Sequence, residues 1–243
     1  MSKYSYHTIN HPTLAPERRE WMAAQAERAK IDLNFFPCIT INDISSFPHE
    51  YNETWTRWRH GRAMKPTELA CAFSHIQLWK NLLSSSDDYY VICEDDMEFA
   101  PDLDQIVREC LSLKRGRIIK LSVTHPRPHK GLVTFSTGHQ LVRFRFAPLS
   151  AGAYIISRSG AEQLILYCYK IHAPIDEMMR LTIEHGITNY GIVPYPVLHA
   201  AGFDSLVGDR QSRYDHNNIW MKGYSRACRF ADHVRKRVAI SRD

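Results

Sequence analysis

The stretch Tyr89–Phe99 reads YYVICEDDMEF. Its first five residues are apolar or aromatic, and two of them are β-branched, which predicts a short buried strand. Glu94, Asp95 and Asp96 follow directly at the carboxyl end of that strand. Ligands of open α/β sheets bind where strands end, and carboxylates there suit a hard cation such as Mg²⁺ or Mn²⁺. The pattern predicts a site for a metal ion and a diphosphate, with a solvated acidic turn as the structural alternative.

Strand and helix patterns alternate on both sides of this stretch. Residues 4–10 favour a strand, residues 16–30 form a helical pattern that opens on a proline, and residues 31–39 again favour a strand. This order implies a parallel pair with a right-handed crossover. Helices are also predicted at 66–83, 103–113, 159–170 and from 174, and strands at 117–121, 141–146, 152–157 and 189–193, followed by an extended segment at 194–199. The alternation predicts an α/β fold with a mostly parallel sheet flanked by helices.

Residues 43–66 are polar and aromatic and predict a loop. Tryptophan, arginine and histidine side chains crowd into this segment: Trp55, Arg57, Trp58, Arg59, His60 and Arg62. Guanidinium groups suit phosphate contacts, and aromatic rings suit sugars. The alternative is that the tryptophans only pack the loop against the domain.

The composition is that of an ordinary globular protein, with 44% hydrophobic and 23% charged residues. No run of eighteen apolar residues predicts a transmembrane helix, and the first residues lack the apolar core of a signal peptide. These features predict a cytoplasmic protein. The six cysteines are scattered without a CxxC pair, so neither a zinc site nor a disulfide framework is expected.

The net charge of +5 is concentrated at the carboxyl end. From Gly208 onward the chain has nine Lys and Arg against four Asp, together with several aromatic residues. We therefore divide the chain into a domain at 1–206 and a basic tail at 207–243. Such a tail suits an anionic surface, possible examples being lipid headgroups, a lipid-linked phosphate or nucleic acid. A solvated helix is the alternative.

Three further groups of residues stand out as motifs. They are Thr8–Asn10 with Glu17–Arg19; Glu68–Trp79 (ELACAFSHIQLW) followed by Glu94–Asp96; and Gly152–Ala161 followed by Pro174–Met178. Together they resemble glycosyltransferase family 25, the lipooligosaccharide galactosyltransferases and their collagen-modifying relatives, whose helix has the pattern GCxxSHxxxW. The resemblance extends from about residue 5 to 206.

This resemblance implies a GT-A-like nucleotide-diphospho-sugar transferase with a Rossmann-type sheet and a bound Mn²⁺ or Mg²⁺. Glu94, Asp95 and Asp96 are similar to the family's metal-binding acids, with Asp96 the first choice as ligand and Glu94 the second. If the strand continues, Glu94 and Asp96 share one face and Asp95 lies on the other. His199 is the third candidate ligand, and its structural alternative is a surface-loop histidine.

Inverting transfer needs a carboxylate to accept the proton of the attacking hydroxyl. The resemblance places acids for this role at Asp176 and Glu177. A helix N-cap is the structural alternative for Asp176. The residues expected to bind the donor nucleotide are Ile9, Asn10, Arg18, Ser74, His75, Glu94, Asp95 and Ser205. For His75 the alternative is a core histidine whose hydrogen bonds are satisfied.

The predicted function is metal-dependent, inverting transfer of a hexose, with UDP-galactose as donor and a lipooligosaccharide or other surface glycan as acceptor. The basic tail would hold the protein on the anionic inner membrane, near a lipid-linked oligosaccharide. No nucleic-acid partner is expected. Two alternatives remain open from sequence, namely a metal-dependent nucleotidyl or phosphoryl transfer enzyme and a non-catalytic module that binds glycans or polyanions.

Overall fold

The computed structural model describes residues 2–11, 13–46, 51–203, 223–224 and 227–228. The strands are β1 (Tyr4–Asn10), β2 (Leu33–Pro37), β3 (Tyr89–Glu94), β4 (Met97–Phe99), β5 (Ile118–Lys120), β6 (His129–Thr134), β7 (Gln140–Phe144), β8 (Ala153–Ser157), β9 (Asn189–Val193) and β10 (Val197–His199). The helices are α1 (Pro16–Ala29), α2 (Glu53–His60), α3 (Pro66–Ser84), α4 (Leu103–Ser112), α5 (Arg158–Tyr167), α6 (Ile175–Arg180) and α7 (Thr182–His185), and Ile41–Ser46 forms a 3₁₀ helix.

Eight strands form one central sheet in the order β2-β1-β3-β8-β5-β9-β7-β6. β1 is parallel to β2 and β3, and β5 is parallel to β9. β8 runs antiparallel between β3 and β5, and β7 runs antiparallel between β9 and β6. Six of the eight strands therefore point the same way, and the predicted α/β fold with a mostly parallel sheet is confirmed. One end of the sheet is formed by the carboxyl ends of β1, β3, β5 and β9 together with the start of the antiparallel β8.

Helices cover both faces of the sheet because successive strand residues point to opposite sides. On one face, Tyr90 and Ile92 of β3 pack with α3, α5 and α6 in a core that includes the fully buried Trp79. On the other face, Val91 and Cys93 pack with α1 and α4. The long, mostly buried α3 thus lies across the middle strands, as its wide apolar face predicts.

The prediction of a loop at residues 43–66 is wrong in part, because α2 lies within it. Asn52 caps this helix by accepting a hydrogen bond from the Trp55 N–H at 3.0 Å, and Gly61 ends it in a left-handed conformation. Trp55 and Trp58 remain 39% and 40% exposed. The short helix presents charged and aromatic residues on most of its surface, so no apolar period reveals it in the sequence. The prediction also missed β6, which pairs with β7.

A small second sheet brings the chain after β9 back to the acidic stretch. β10 pairs antiparallel with β4, which places His199 opposite Met97, and the Ala200 N–H donates to the Asp96 carbonyl at 2.8 Å. The extended segment at 194–199 was predicted, but its pairing partner was not. No helix in the described part of the chain has the length and apolarity to cross a membrane. The proposed boundary at 206 and most of the basic tail lie outside the described residues.

His7 makes the fold sensitive to acid. Its ring stacks on Tyr90 with centroids 3.9 Å apart, and burial lowers its pKa to about 4. In the unfolded chain, His7 takes up a proton near pH 6.5. Between pH 6.5 and 4 the unfolded chain therefore binds more protons than the folded chain, and the free energy of unfolding decreases as the pH is lowered. We expect the free energy of unfolding to drop by about 2–3 kcal/mol over this window on account of His7 alone.

The measurement is urea unfolding of the wild type and of His7→Gln at several pH values. Glutamine keeps an amide N–H for the Ser5 hydroxyl, 2.8 Å from the His7 Nε2, but cannot take up the proton. The variant should lose that part of the pH dependence, whereas His125→Gln, on an exposed loop, should keep it. Equal slopes for wild type and His7→Gln would contradict the assignment.

Candidate active site

A cavity of about 320 Å³ opens at the edge where the strands end. Its ionisable lining groups come from α3, the end of β3, α6 and the end of β10: Glu68, Cys71, Glu94, Asp96, Asp176 and His199. Thr124, Ser150, Gly152 and Phe203 also line it. The candidate metal ligands Asp96 and His199 and the candidate base Asp176, which are distant in sequence, thus line the same cavity.

Asp95 lies on the side of the acidic turn away from the cavity lining. Arg18 Nη1 donates to Asp95 Oδ1 at 2.7 Å, and the Asn10 side-chain amide donates to Asp95 Oδ2 at 2.8 Å. The side chains of Arg18 and Asp95 are 5% and 10% exposed. β3 ends at Glu94, and Asp95 and Asp96 form a turn. Asp95 lies on the opposite side from Glu94 and Asp96, as predicted, but the reason is its ion pair with Arg18 and not a continued strand. Asn10, Arg18 and Asp95 form a buried network that holds this turn.

Asp96 and His199 lie next to each other in the lining of the cavity. The distance from Asp96 Oδ1 to His199 Nδ1 is 3.8 Å, and Asp96 Oδ1 is buried without a hydrogen-bond partner. Burial would raise the pKa of Asp96, but His199 and the Arg18 guanidinium, 3.7 Å from Oδ2, outweigh it and lower the pKa. Asp96 in turn raises the pKa of His199. A buried acceptor that lacks a donor is a suitable ligand atom for a cation.

Gly152 makes room for the His199 ring. A Cβ on Gly152 would lie 3.2 Å from His199 Cε1 and 3.3 Å from the Ser150 hydroxyl. The Gly152 carbonyl accepts the Glu94 N–H at 2.8 Å, which ties the start of β8 to the end of β3. The sequence motif that begins at Gly152 therefore has a steric role at this edge.

Glu94 turns towards α3 and not towards His199. Its Oε1 lies 4.0 Å from His75 Nε2. Within the described ranges, one group of three His, Cys, Asp or Glu side chains has all its ligand atoms within 4.8 Å of one another, and it consists of Cys71, His75 and Glu94. The predicted triad of Glu94, Asp96 and His199 is not assembled at ligand distance in this conformation. Mg²⁺ and Mn²⁺ commonly use one or two carboxylates with substrate phosphates, so Asp96 with His199 or Glu94 fits such an ion.

The two motif residues of α3 face different surroundings. Ser74 is fully buried, accepts the Ile39 N–H at 2.8 Å and donates to the Ala70 carbonyl at 2.8 Å. It does not line the cavity. His75 is also fully buried, and its Nδ1 lies 2.8 Å from the Tyr154 hydroxyl, whereas its Nε2 has no hydrogen-bond partner. The interpretation of His75 as a satisfied core histidine is therefore wrong for one of its two nitrogens.

Asp176 lines the cavity and Glu177 does not. Pro174 occupies the N-cap of α6, and Asp176 Oδ1 accepts the N–H of the next residue at 2.8 Å, so the N-cap alternative for Asp176 is not what the structure shows. Glu177 Oε1 accepts from Arg180 Nη2 at 3.1 Å, and its Oε2 is 3.7 Å from His60 Nδ1. Of the two acids, Asp176 is the one with access to a bound substrate.

Lys120, which the sequence reasoning did not select, lies beneath the cavity. It is fully buried, and its ammonium donates to the Ser150 carbonyl at 2.5 Å. Burial lowers its pKa to about 8, an effect that Asp176 and Glu94 oppose. A lysine at the end of the apolar strand β5, followed by Leu121, was the available signal, because a charged residue is buried only when it is paired. Cys71 was also missed as a cavity residue.

Of the predicted donor contacts within the described residues, Glu94 lines the cavity, whereas Ile9, Asn10, Arg18, Ser74, His75 and Asp95 do not. Ile9 is partly buried and packs against the core on the α3 side of the sheet. Ser205 lies outside the described residues. The donor roles of Ile9 and Ser205 stay predictions.

Comparison with known proteins gives a consistent family assignment. The family model described as Glycosyltransferase family 25 (LPS biosynthesis protein) matches residues 12–179. A protein named Glycosyltransferase 25 family member from Aedes aegypti is 26% identical over 105 residues, which span 40% of this chain and 17% of that protein. One of the same name from Drosophila melanogaster is 27% identical over 110 residues, spanning 42% and 17%. The aligned part of the chain is thus less than a fifth of these relatives' length.

Among solved structures, the glycosyltransferase GlyE of Streptococcus pneumoniae aligns with the whole chain and with 64% of its own length. The sequence identity is 9% and the TM-score is 0.39. At this low TM-score, the fold assignment rests on the sheet order and strand directions described above.

The buried Arg18–Asp95 pair should matter for stability and Asp96 should not. Asp95→Ala leaves the Arg18 charge buried, which costs about 3 kcal/mol, the lower end of the usual range because Asp96 lies only 3.7 Å from the same guanidinium. Asp96→Ala removes a carboxylate whose Oδ1 has no hydrogen-bond partner, so its cost should be about 1 kcal/mol or less. Urea unfolding of the two variants measures both, and equal losses would contradict this division of roles.

Proposed function

The chain belongs to glycosyltransferase family 25, and from this we propose that it is a metal-dependent, inverting hexosyltransferase that uses a UDP-sugar, with UDP-galactose as the first candidate. The observation that carries the proposal is that Asp96, His199 and Asp176 line one cavity at the carboxyl edge of the sheet. A donor bound there would have Asp96 and His199 as ligands for a cation and Asp176 as a carboxylate base in the same cavity. The glycosyltransferase class follows from the family.

The donor end of the cavity is the one near Asp96. A sugar nucleotide carries a diphosphate, which Glu94 and Asp96 would repel without a cation. Asp96 and His199, with Glu94 in reach after a side-chain rotation, would hold Mn²⁺ or Mg²⁺. When bound, such an ion neutralises the negative charge that develops on the departing nucleotide. His199 and, to a smaller extent, Arg18, 3.7 Å from Asp96, oppose the effect of burial and lower the pKa of that carboxyl, which favours the ionised form that a cation binds.

We assign the base role to Asp176. Its carboxylate would accept the proton of the acceptor hydroxyl as the oxygen attacks the anomeric carbon. The buried Lys120 charge, which interacts with Asp176, favours its ionised form, and a base must be ionised before it can accept a proton. Glu177 is engaged with Arg180 and His60 and would serve at most to orient this helix.

We propose a surface glycan as acceptor, with lipooligosaccharide or another lipid-linked oligosaccharide as the leading candidate, in keeping with the family's description as an LPS biosynthesis protein. The basic tail, with nine Lys and Arg against four Asp from Gly208 onward, would hold the protein on an anionic membrane surface where such an acceptor lies. Flotation of the full chain with vesicles of anionic or neutral lipid tests this last point.

Asp96→Ala should abolish Mn²⁺-dependent turnover while the protein stays folded, because the variant loses a metal ligand and little stability. Transfer is measured with UDP-galactose, UDP-glucose and other activated sugars tested separately. Glu98→Ala, on the neighbouring β4 and about half exposed, is the matched control and should retain activity. Wild-type-like transfer by Asp96→Ala would remove the acidic turn from the mechanism, and NTP consumption without sugar transfer would favour a nucleotidyl or phosphoryl transfer enzyme instead.

The two acids of α6 provide a second, sharper comparison. Asp176→Asn should lower kcat by about 10²–10⁴-fold, the usual contribution of a general base, and leave the KM for the donor nearly unchanged. Glu177→Gln, one residue away, should reduce kcat by much less because its partners lie outside the cavity. Steady-state kinetics with a saturating donor measures both. A larger loss for Glu177→Gln would move the base to that residue.

A further inference from the structure

We propose that Cys71, His75 and Glu94 form a second cation site, for Zn²⁺ or a similarly soft divalent metal, on the side of the cavity that α3 lines. This site is separate from the pair Asp96 and His199 and takes a different class of metal. It does not depend on the proposed transferase activity, because binding can be measured without any substrate.

The first support is the convergence of the three ligand atoms. Cys71 and His75 are four residues apart on α3, so their side chains lie one above the other on the same helix face. Glu94 ends β3 beneath that face, and all three ligand atoms lie within 4.8 Å of one another. Cys71 and Glu94 also line the cavity, which gives a cation a path to the site.

The second, independent support is His75 itself. The residue is fully buried, yet its Nε2 has no hydrogen-bond partner and lies 4.0 Å from Glu94 Oε1. A buried ring nitrogen without a partner costs free energy, so its placement needs a reason. A metal ion between His75 and Glu94 would satisfy both groups.

The ring of His75 is held in the orientation that a metal ligand needs. Its Nδ1 lies 2.8 Å from the Tyr154 hydroxyl, and Trp79 Nε1 donates to the same oxygen at 2.9 Å. Histidine ligands of metals usually donate their other N–H to a fixed partner, which orients the ring and leaves the metal-binding nitrogen bare. Tyr154 is fully buried and is such a partner when its oxygen accepts the Nδ1–H of His75.

The ligand types select the metal. Thiolate and imidazole favour Zn²⁺, whereas Mg²⁺ and Mn²⁺ prefer oxygen ligands. Tetrahedral zinc with nitrogen, oxygen and sulfur ligands places the ligand atoms about 3.4 Å apart. The 4.0 Å between His75 and Glu94 exceeds this by an amount that rotation of the Glu94 side chain, which is 34% exposed, can close. Three protein ligands leave one tetrahedral position open towards the cavity, as in zinc sites that bind an exchangeable ligand.

The cysteine spacing did not predict this site, since no CxxC pair exists. The ligands come instead from one helical turn and one strand end. A zinc ion bound there would engage Glu94 and so withdraw this carboxylate from a cation held by Asp96. The two sites would thus share Glu94, and their other ligands would differ: Cys71 and His75 in one site, Asp96 and His199 in the other.

The experiment uses the full chain after treatment with a chelator, titrated with Co²⁺ as a spectroscopic substitute and then with Zn²⁺. The wild type should bind one Co²⁺ with a sulfur-to-cobalt charge-transfer band and tetrahedral visible bands, and Zn²⁺ should displace it. Cys71→Ser should lose the charge-transfer band. It should also weaken Zn²⁺ binding, measured against a chromogenic chelator, by more than the ~100-fold that loss of an outer-sphere partner can cause.

Cys38→Ser is the matched control, because Cys38 is also partly buried, and it should keep both the band and the affinity. Asp96→Ala should lose sugar transfer and keep the cobalt spectrum, which separates failure of this site from failure of the proposed function. Thermal unfolding checks that Cys71→Ser is folded. A wild type without the charge-transfer band, or a folded Cys71→Ser that binds Zn²⁺ as tightly as the wild type, would overturn the proposal.

Discussion

The ion pair between Arg18 and Asp95 is the interaction on which the acidic edge depends. Three consecutive carboxylates at the end of a buried strand repel one another, and burial would drive them to take up protons. Arg18 reaches from α1 to place its charge 2.7 Å from Asp95 and 3.7 Å from Asp96. One guanidinium thus holds Asp95 on the side of the turn away from the cavity and, together with His199, lowers the pKa of Asp96. Loss of this charge would disturb the position and the protonation state of the turn together.

The other carboxylates of the cavity are also matched by cations from neighbouring elements. Glu68 receives two hydrogen bonds from Arg62, at 2.6 and 2.7 Å, which anchors the start of α3. The buried Lys120 lies near Asp176 and Glu94, and His199 faces Asp96. A cavity lined with acids is stable only with such compensation, because buried carboxylates without partners are expensive. The charge balance here explains how the site can exist before any substrate or cation binds.

The parts of the fold with strong local sequence patterns could be predicted, whereas the pairings between distant segments could not. β1, β3 and α3 were predictable because each combines a clear period with a clear boundary, such as Pro66 at the start of α3. The direction of β8 and the pairing of β10 with β4 depend on contacts between segments about 35 to 100 residues apart, for which the sequence has no local signal. α2 was missed because its residues are polar and aromatic and show no apolar period. The Asn52 cap and the left-handed Gly61 at its end were its remaining sequence signals.

The same distinction applies to the site. Glu94 and Asp96 were selected because acids at a strand end have a chemical meaning in sequence, and Asp176 was selected through the family resemblance. All three line the cavity. The rotation of Glu94 towards His75, 4.0 Å away, was not predictable, because it depends on how closely α3 packs over β3. That packing gives Glu94 two sets of neighbours, the sulfur and nitrogen ligands of α3 and the oxygen ligand of Asp96. In the two sites we propose, soft and hard cations would select between these sets, and the position of this one carboxylate would determine which metal the cavity holds best.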